Sequence, residues 1–118
     1  MGKRVLIIDD SLTAQLALKA CIPDGQGHEV FVADSGEKGI EMFKEVSPHL
    51  ILLDLTMPGM GGFDVLKVVR GADENVAIVI ITADTQKKTK EKAFMLGATN
   101  ILKKPPKPED VQRHLSGE

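Results

Sequence analysis

The sequence predicts an α/β domain: a doubly wound, five-stranded parallel sheet with helices on both faces. Three observations lead there. Short apolar runs recur along the chain, and most of them stop on a charged or hydroxyl residue. Stretches with helical apolar spacing lie between these runs, and such alternation makes a parallel sheet covered on both sides. With 118 residues the chain is also of single-domain length and too short for an eight-fold barrel.

The first strand is Val5-Leu6-Ile7-Ile8, closed by Asp9 and Asp10. Ser11 is placed to cap a helix in which Leu12, Leu16 and Ala20 follow at helical spacing. Pro23-Asp24-Gly25 breaks that helix, and Val30-Phe31-Val32-Ala33 is the second strand. Ser35 caps the next helix, whose apolar residues are Ile40, Phe43 and Val46, and Pro48 ends it. Leu50-Ile51-Leu52-Leu53 forms the third strand and stops on Asp54. A Gly- and Pro-rich loop over 57–62 leads to a helix carrying Phe63, Leu66 and Val69, with Gly71 as its stop. The fourth strand spans 77–81 and ends at Thr82. A helix over 89–96 buries Ala93 and Leu96, and Gly97 stops it. Ile101-Leu102 is a short fifth strand leading into Lys103-Lys104. Pro108 opens the last helix, where Glu109 and Asp110 complement the helix dipole.

Composition narrows the function. The chain is 42% hydrophobic and 27% charged, ordinary for a globular protein. A net charge of −2 argues against direct binding of DNA or RNA. No apolar stretch reaches membrane-spanning length, and the first run is too short and too soon acidic for a signal peptide. Met1-Gly2 opens an acylation motif that Leu6 does not complete. Cys21 is the sole cysteine, read as a buried, inert thiol in a reducing compartment. A cytoplasmic protein is expected.

In an open parallel sheet, ligands sit at the carboxyl ends of the strands. Those ends supply Asp9 and Asp10, Asp54, Thr82 and Lys104. Three carboxylates in one place raise one another's pKa and need a neutralising partner. Hard oxygen donors of this number suit Mg²⁺. A metal, a lysine and a hydroxyl together suit a phosphoryl group, because phosphoryl transfer is mostly positioning and charge compensation. Asp54 is then the candidate nucleophile. Taken singly, each residue has a plain reading as a solvated turn, a helix cap or a surface side chain; the joint order of the four strand ends favours chemistry.

These motifs resemble response-regulator receiver domains, the CheY-like family. The resemblance rests on Val5-Leu6-Ile7-Ile8-Asp9-Asp10-Ser11, on the run from Asp54 through Leu55-Thr56-Met57-Pro58-Gly59-Met60-Gly61-Gly62, on Ile81-Thr82-Ala83-Asp84, on Leu96-Gly97-Ala98 and on Lys103-Lys104-Pro105. It covers nearly the whole chain, read as one receiver domain over 1–118. It implies the flavodoxin-like strand order 2-1-3-4-5. It implies Asp54 as phosphoacceptor, Asp10 as direct metal ligand, Asp9 as the second acid and Thr56 as donor of a backbone carbonyl to the metal. Thr82 matches the hydroxyl that moves toward the phosphoryl group, Lys104 the lysine that pairs with it, and Lys104-Pro105 a cis peptide bond. The implied partners are a sensor histidine kinase or phosphotransfer protein and a downstream protein target or output domain. The implied role is a switch with slow self-hydrolysis rather than a metabolic enzyme.

Two positions depart from the pattern. Ile101 stands where the family often has an aromatic ring, and Pro106 follows Lys104-Pro105 where an aromatic residue is common. Without the ring, the output signal is expected to be weaker or to travel by backbone and helix shifts. Lys87, Lys88, Lys90 and Lys92 read as a solvated helix face or part of a partner surface, and Asp84 as a residue that tunes hydrolysis. The rivals are weaker. A flavin domain wants a phosphate loop rich in Ser, Thr and Gly and stacking aromatics, but this chain has Asp9-Asp10-Ser11-Leu12 and no Trp or Tyr. A haloacid-dehalogenase-type hydrolase wants a second Asp where Thr56 stands. A phosphorylation-independent interaction module remains the alternative.

Overall fold

The computed structural model describes residues 2–116, so Met1 of the acylation motif and the two final residues lie outside it. Its elements are β1 (Arg4–Ile8), α1 (Leu12–Ala20), β2 (Glu29–Ala33), α2 (Gly36–Val46), β3 (Leu50–Asp54), α3 (Gly62–Ala72), β4 (Ala77–Thr82), α4 (Lys87–Met95), β5 (Asn100–Lys103) and α5 (Pro108–Leu115). The sheet is wholly parallel, in the order β2-β1-β3-β4-β5. Among the described residues no helix is long and apolar enough to cross a membrane.

Alternating side chains of the central strands leave the sheet on opposite faces. Leu6, Ile8, Ile51 and Leu53 join a cluster with Phe43 of α2, Val65 and Leu66 of α3 and Ala93 of α4. Val5, Ile7, Leu50 and Leu52 join a second cluster with Leu18 and Cys21 on one side and Val111 and Leu115 of α5 on the other. This double burial explains why β1 and β3 are apolar at nearly every position. Cys21 is a free, buried thiol, as its isolation suggested.

Four local expectations need correction. Leu12, Leu16 and Ala20 share a spacing, but they do not face the core: Leu12 is 68% and Leu16 57% exposed, and Ala20 is also exposed. The helix docks instead through Leu18 and, just past its end, Cys21 and Ile22. Gly71 does not stop α3; the helix runs to Ala72, and Asp73 ends it by turning its carboxylate onto the N–H groups of Asn75 and Val76. α4 begins at Lys87, two residues ahead of Thr89. Leu96 lies just past its end and is only half-buried. The two serine caps are as read: Ser11 Oγ accepts from Ala14 N–H, and Ser35 Oγ from Lys38 N–H.

Candidate functional site

The parallel register brings the strand ends together. β1 and β3 are adjacent, so Asp9, just past Ile8, and Asp54, just past Leu53, come side by side. One carboxylate oxygen from each of Asp9, Asp10 and Asp54 lies within 4.8 Å of the others. Asp9 and Asp54 are buried, at 0% and 5% exposure, whereas Asp10 faces solvent. The β4–β5 pairing then sets Lys104 beyond Lys103, with its N–H on the carbonyl of Thr82. Its ammonium nitrogen reaches Asp9 Oδ2 at 3.1 Å and Asp54 Oδ1 at 3.2 Å. The Lys104–Pro105 bond is cis, as the resemblance implied.

The acids are not equally satisfied. Asp9 Oδ1 accepts from Ser11 N–H at 2.9 Å. Asp9 Oδ2 is buried with no aligned hydrogen bond, and only the charge of Lys104 faces it. A buried carboxylate oxygen left in this state is costly. Burial, and then the charge of Asp9, hold the Asp54 carboxyl above its ordinary range, against the opposing pull of Lys104. Partial burial works against the ammonium of Lys104, but its close approach to the Asp9 and Asp54 carboxylates prevails and raises it. One lysine thus serves two buried carboxylates, and a third, exposed one stands beside them without an ion-pair partner among the described residues. An oxygen-only donor set that includes a buried carboxylate oxygen with no aligned hydrogen bond fits a hard divalent cation such as Mg²⁺.

Thr82 is buried, and its Oγ accepts from the N–H of Asp84 at 3.1 Å. The carboxylate of Asp84, by contrast, is turned into the start of α4. It accepts from Gln86 N–H at 3.0 Å and from Thr89 Oγ at 2.7 Å, and these bonds lower its pKa. Thr56 is exposed, its N–H making a long 3.4 Å contact with Asp54 Oδ1. Two residues of the site were not anticipated. Gln15 on α1 donates its side-chain amide to the carbonyl of Asp9 at 2.8 Å, fixing the end of β1. Gly62 opens α3 so close to β3 that a Cβ there would fall on the carbonyl of Asp54. The Gly-rich run signals the second; no sequence pattern signals the first, because its partner is a backbone atom.

This arrangement does not stand alone. Residues 5–116 match the family model described as the response regulator receiver domain. The chain belongs to the response-regulator receiver family. It is 36% identical over 117 residues to the chemotaxis protein CheY of Thermotoga maritima, covering 98% of this chain and 97% of that protein. It is 42% identical over 106 residues to the cell cycle transcriptional regulator CtrA of Caulobacter vibrioides, of which it spans only 44%. In structure it resembles the Vibrio cholerae chemotaxis protein CheY4, with a TM-score of 0.88 at 28% identity over 99% of this chain and 98% of that one. The fold is therefore CheY-like, with the strand order the resemblance implied, and the domain is a receiver of the two-component type.

Proposed function

We propose that this receiver accepts a phosphoryl group on Asp54 from a phosphohistidine, supplied by a histidine kinase or phosphotransfer protein, and uses it to switch a partner-binding surface. The observation that carries this reading is the Asp54 carboxylate, held at the rim of the sheet between Lys104 and a second buried acid. In the transfer a carboxylate oxygen of Asp54 attacks phosphorus, the bond from phosphorus to the histidine nitrogen breaks, and an acyl phosphate forms. Lys104 balances the charge of the phosphoryl oxygens, and Thr82, whose own hydroxyl hydrogen is uncommitted, donates to one of them. Asp9, Asp10, Asp54 and the backbone carbonyl of Thr56 would hold Mg²⁺, which supplies further positive charge to the phosphoryl oxygens when bound. Slow hydrolysis of the acyl phosphate resets the switch. We read residues 1–118 as one receiver domain acting in the cytoplasm.

Incubation with Mg²⁺ and acetyl phosphate, read by intact mass, tests the acceptor. One phosphoryl adduct is expected in the wild type, and none in Asp54→Asn or when the metal is chelated. A wild type that stays unmodified would leave the phosphorylation-independent interaction module as the better reading.

The exposed leucines of α1 bear on the donor. Leu12 and Leu16 follow Asp10 on the helix that starts at the site, and both are largely exposed. An apolar pair at the rim fits contact with a protein donor, and acetyl phosphate needs no such contact. Leu16→Glu is therefore expected to slow transfer from a phosphohistidine protein roughly tenfold, the effect of losing one modest apolar anchor, and to leave labelling by acetyl phosphate unchanged. Equal slowing with both donors would show that Leu16 serves the site itself and not docking.

A further inference from the structure

We propose that Gln15 is a positioning residue for the metal: its side-chain amide fixes the Asp9–Asp10 peptide and so sets where the Asp10 carboxylate stands for a divalent cation. The inference rests on the Mg²⁺ site of the reading above. Asp9 is pinned at three points. Its N–H donates to the carbonyl of Ala33 at 3.1 Å, its Oδ1 accepts from Ser11 N–H at 2.9 Å, and its carbonyl accepts from Gln15 Nε2 at 2.8 Å. The third bond is the one that bears on Asp10. The Asp9 carbonyl and the Asp10 N–H belong to one planar peptide, so holding the oxygen fixes the direction in which the chain enters Asp10. The ladder with β3 ends at Ile8, and among the described residues no backbone N–H reaches the Asp9 carbonyl. Asp10 has little else to restrain it. It faces solvent, and among the described residues its carboxylate has neither an ion pair nor a hydrogen bond. Yet one of its oxygens lies within 4.8 Å of those of Asp9 and Asp54. That placement is inherited from the backbone on either side, which is the cap at Ser11 and the peptide held by Gln15.

The helix delivers the amide. Gln15 N–H donates to the carbonyl of Ser11 at 2.9 Å, which seats the residue near the start of α1. Leu18, three residues on and on the same face, is buried in the core. Gln15 is accordingly half-buried, whereas Leu16 and Ala17 after it are exposed. A neutral donor suits this place. A lysine or arginine would add a second cation beside Lys104, and it would compete with a divalent ion for the same carboxylates. Glutamine supplies the hydrogen bond and leaves the negative charge of the cluster to the metal. Gln15 and Asp10 also line one surface hollow with Asp34 and Lys38. The cation there does not hold Asp10, because Lys38 is paired with Asp34 at 3.2 Å.

The test is a titration with Mn²⁺ as the probe, followed by the electron paramagnetic resonance signal of the free ion, on the wild type, Gln15→Met and Gln15→Asn. Methionine keeps the helix propensity and the length of the side chain without the donor. Asparagine keeps the amide but draws it back by one methylene. Both variants are expected to bind Mn²⁺ roughly fivefold more weakly, the effect of losing one hydrogen bond. With acetyl phosphate, the Mg²⁺ concentration for half-maximal labelling should rise by the same factor, and the loss should disappear at saturating Mg²⁺. Unchanged metal affinity in both variants overturns the inference, whatever their thermal stability, because a purely structural role lowers the melting temperature alone. A slower rate at saturating Mg²⁺ with an unchanged half-saturation point overturns it too. The titration needs no phosphoryl donor, so the two readings fail separately. A wild type that binds Mn²⁺ but takes no phosphoryl group removes the acceptor reading only, and one that binds no Mn²⁺ removes the role of Gln15.

Discussion

Lys104→Met is expected to destabilise the metal-free domain by about 2–4 kcal/mol, the cost of stripping one partner from a mostly buried ion pair. The lower part of the usual range applies because the lysine side chain keeps 27% of its surface in water. Two buried carboxylates would be left facing each other, one of them with an oxygen that already lacks an aligned hydrogen bond. Urea unfolding in the presence of a chelator reads the loss. Adding Mg²⁺ should return much of it, because an ion bound only by the folded state stabilises that state by mass action. A variant as stable as the wild type in chelator would show that the ammonium does not hold the acids together.

Asp54→Asn should do the opposite. Removing one of the crowded charges leaves Lys104 with a single buried partner, Asp9. In chelator near pH 7 the variant is expected to gain about 1–2 kcal/mol, comparable to other replacements of poorly compensated buried charge. For a domain of this size that raises the melting temperature by about 4 °C for each kcal/mol. The pH dependence has a definite sign. The folded-state pKa of Asp54 is raised, chiefly by burial and then by Asp9. Its ionised form therefore burdens the fold at every pH above the raised value. The burden falls away as the pH drops toward the ordinary carboxylate range, where folded and unfolded chains both carry the proton. The advantage of the variant should accordingly be largest near neutrality and shrink in acid. Thermal scans at several pH values check this, and a gain independent of pH would point to a packing effect instead.

The two substitutions move stability in opposite directions because the site has more negative than positive charge. That imbalance was legible in the sequence: the strand ends could be named from their apolar runs, and the acids, threonine and lysine follow those runs directly. A strand buried on both faces writes its length into the sequence with little ambiguity. Helix faces were less legible. Leu12 and Leu16 have the spacing of a buried stripe, but α1 meets the sheet through Leu18, Cys21 and Ile22, near its far end. Spacing gives a helix its stripe without saying which stripe the neighbouring elements will cover. The end of α3 was misplaced because Asp73 forms its stop with side-chain bonds to Asn75 and Val76, and Gly71 is tolerated two residues earlier, inside the helix. The bonds of Arg70, Gln15 and Asp84 join groups from different segments or reach backbone atoms, so residue type alone could not announce them.

The parallel register also bears on how the domain comes to be folded. Val5 pairs with Val30 and with Leu50, 25 and 45 residues further along the chain, and Leu50 pairs with Ala77 after another 27. No two neighbouring strands are joined by a tight turn, so every ladder waits on the closure of a long loop. Loop entropy must be met before any pairing rewards it, which makes such topologies slow to fold. β1 sits between two strands that are both made after it. Its four apolar residues therefore keep at least one edge open until β3 has been synthesised. The same stretch that carries Asp9 and Asp10 to the rim of the sheet is thus a part of the nascent chain that needs protection from self-association.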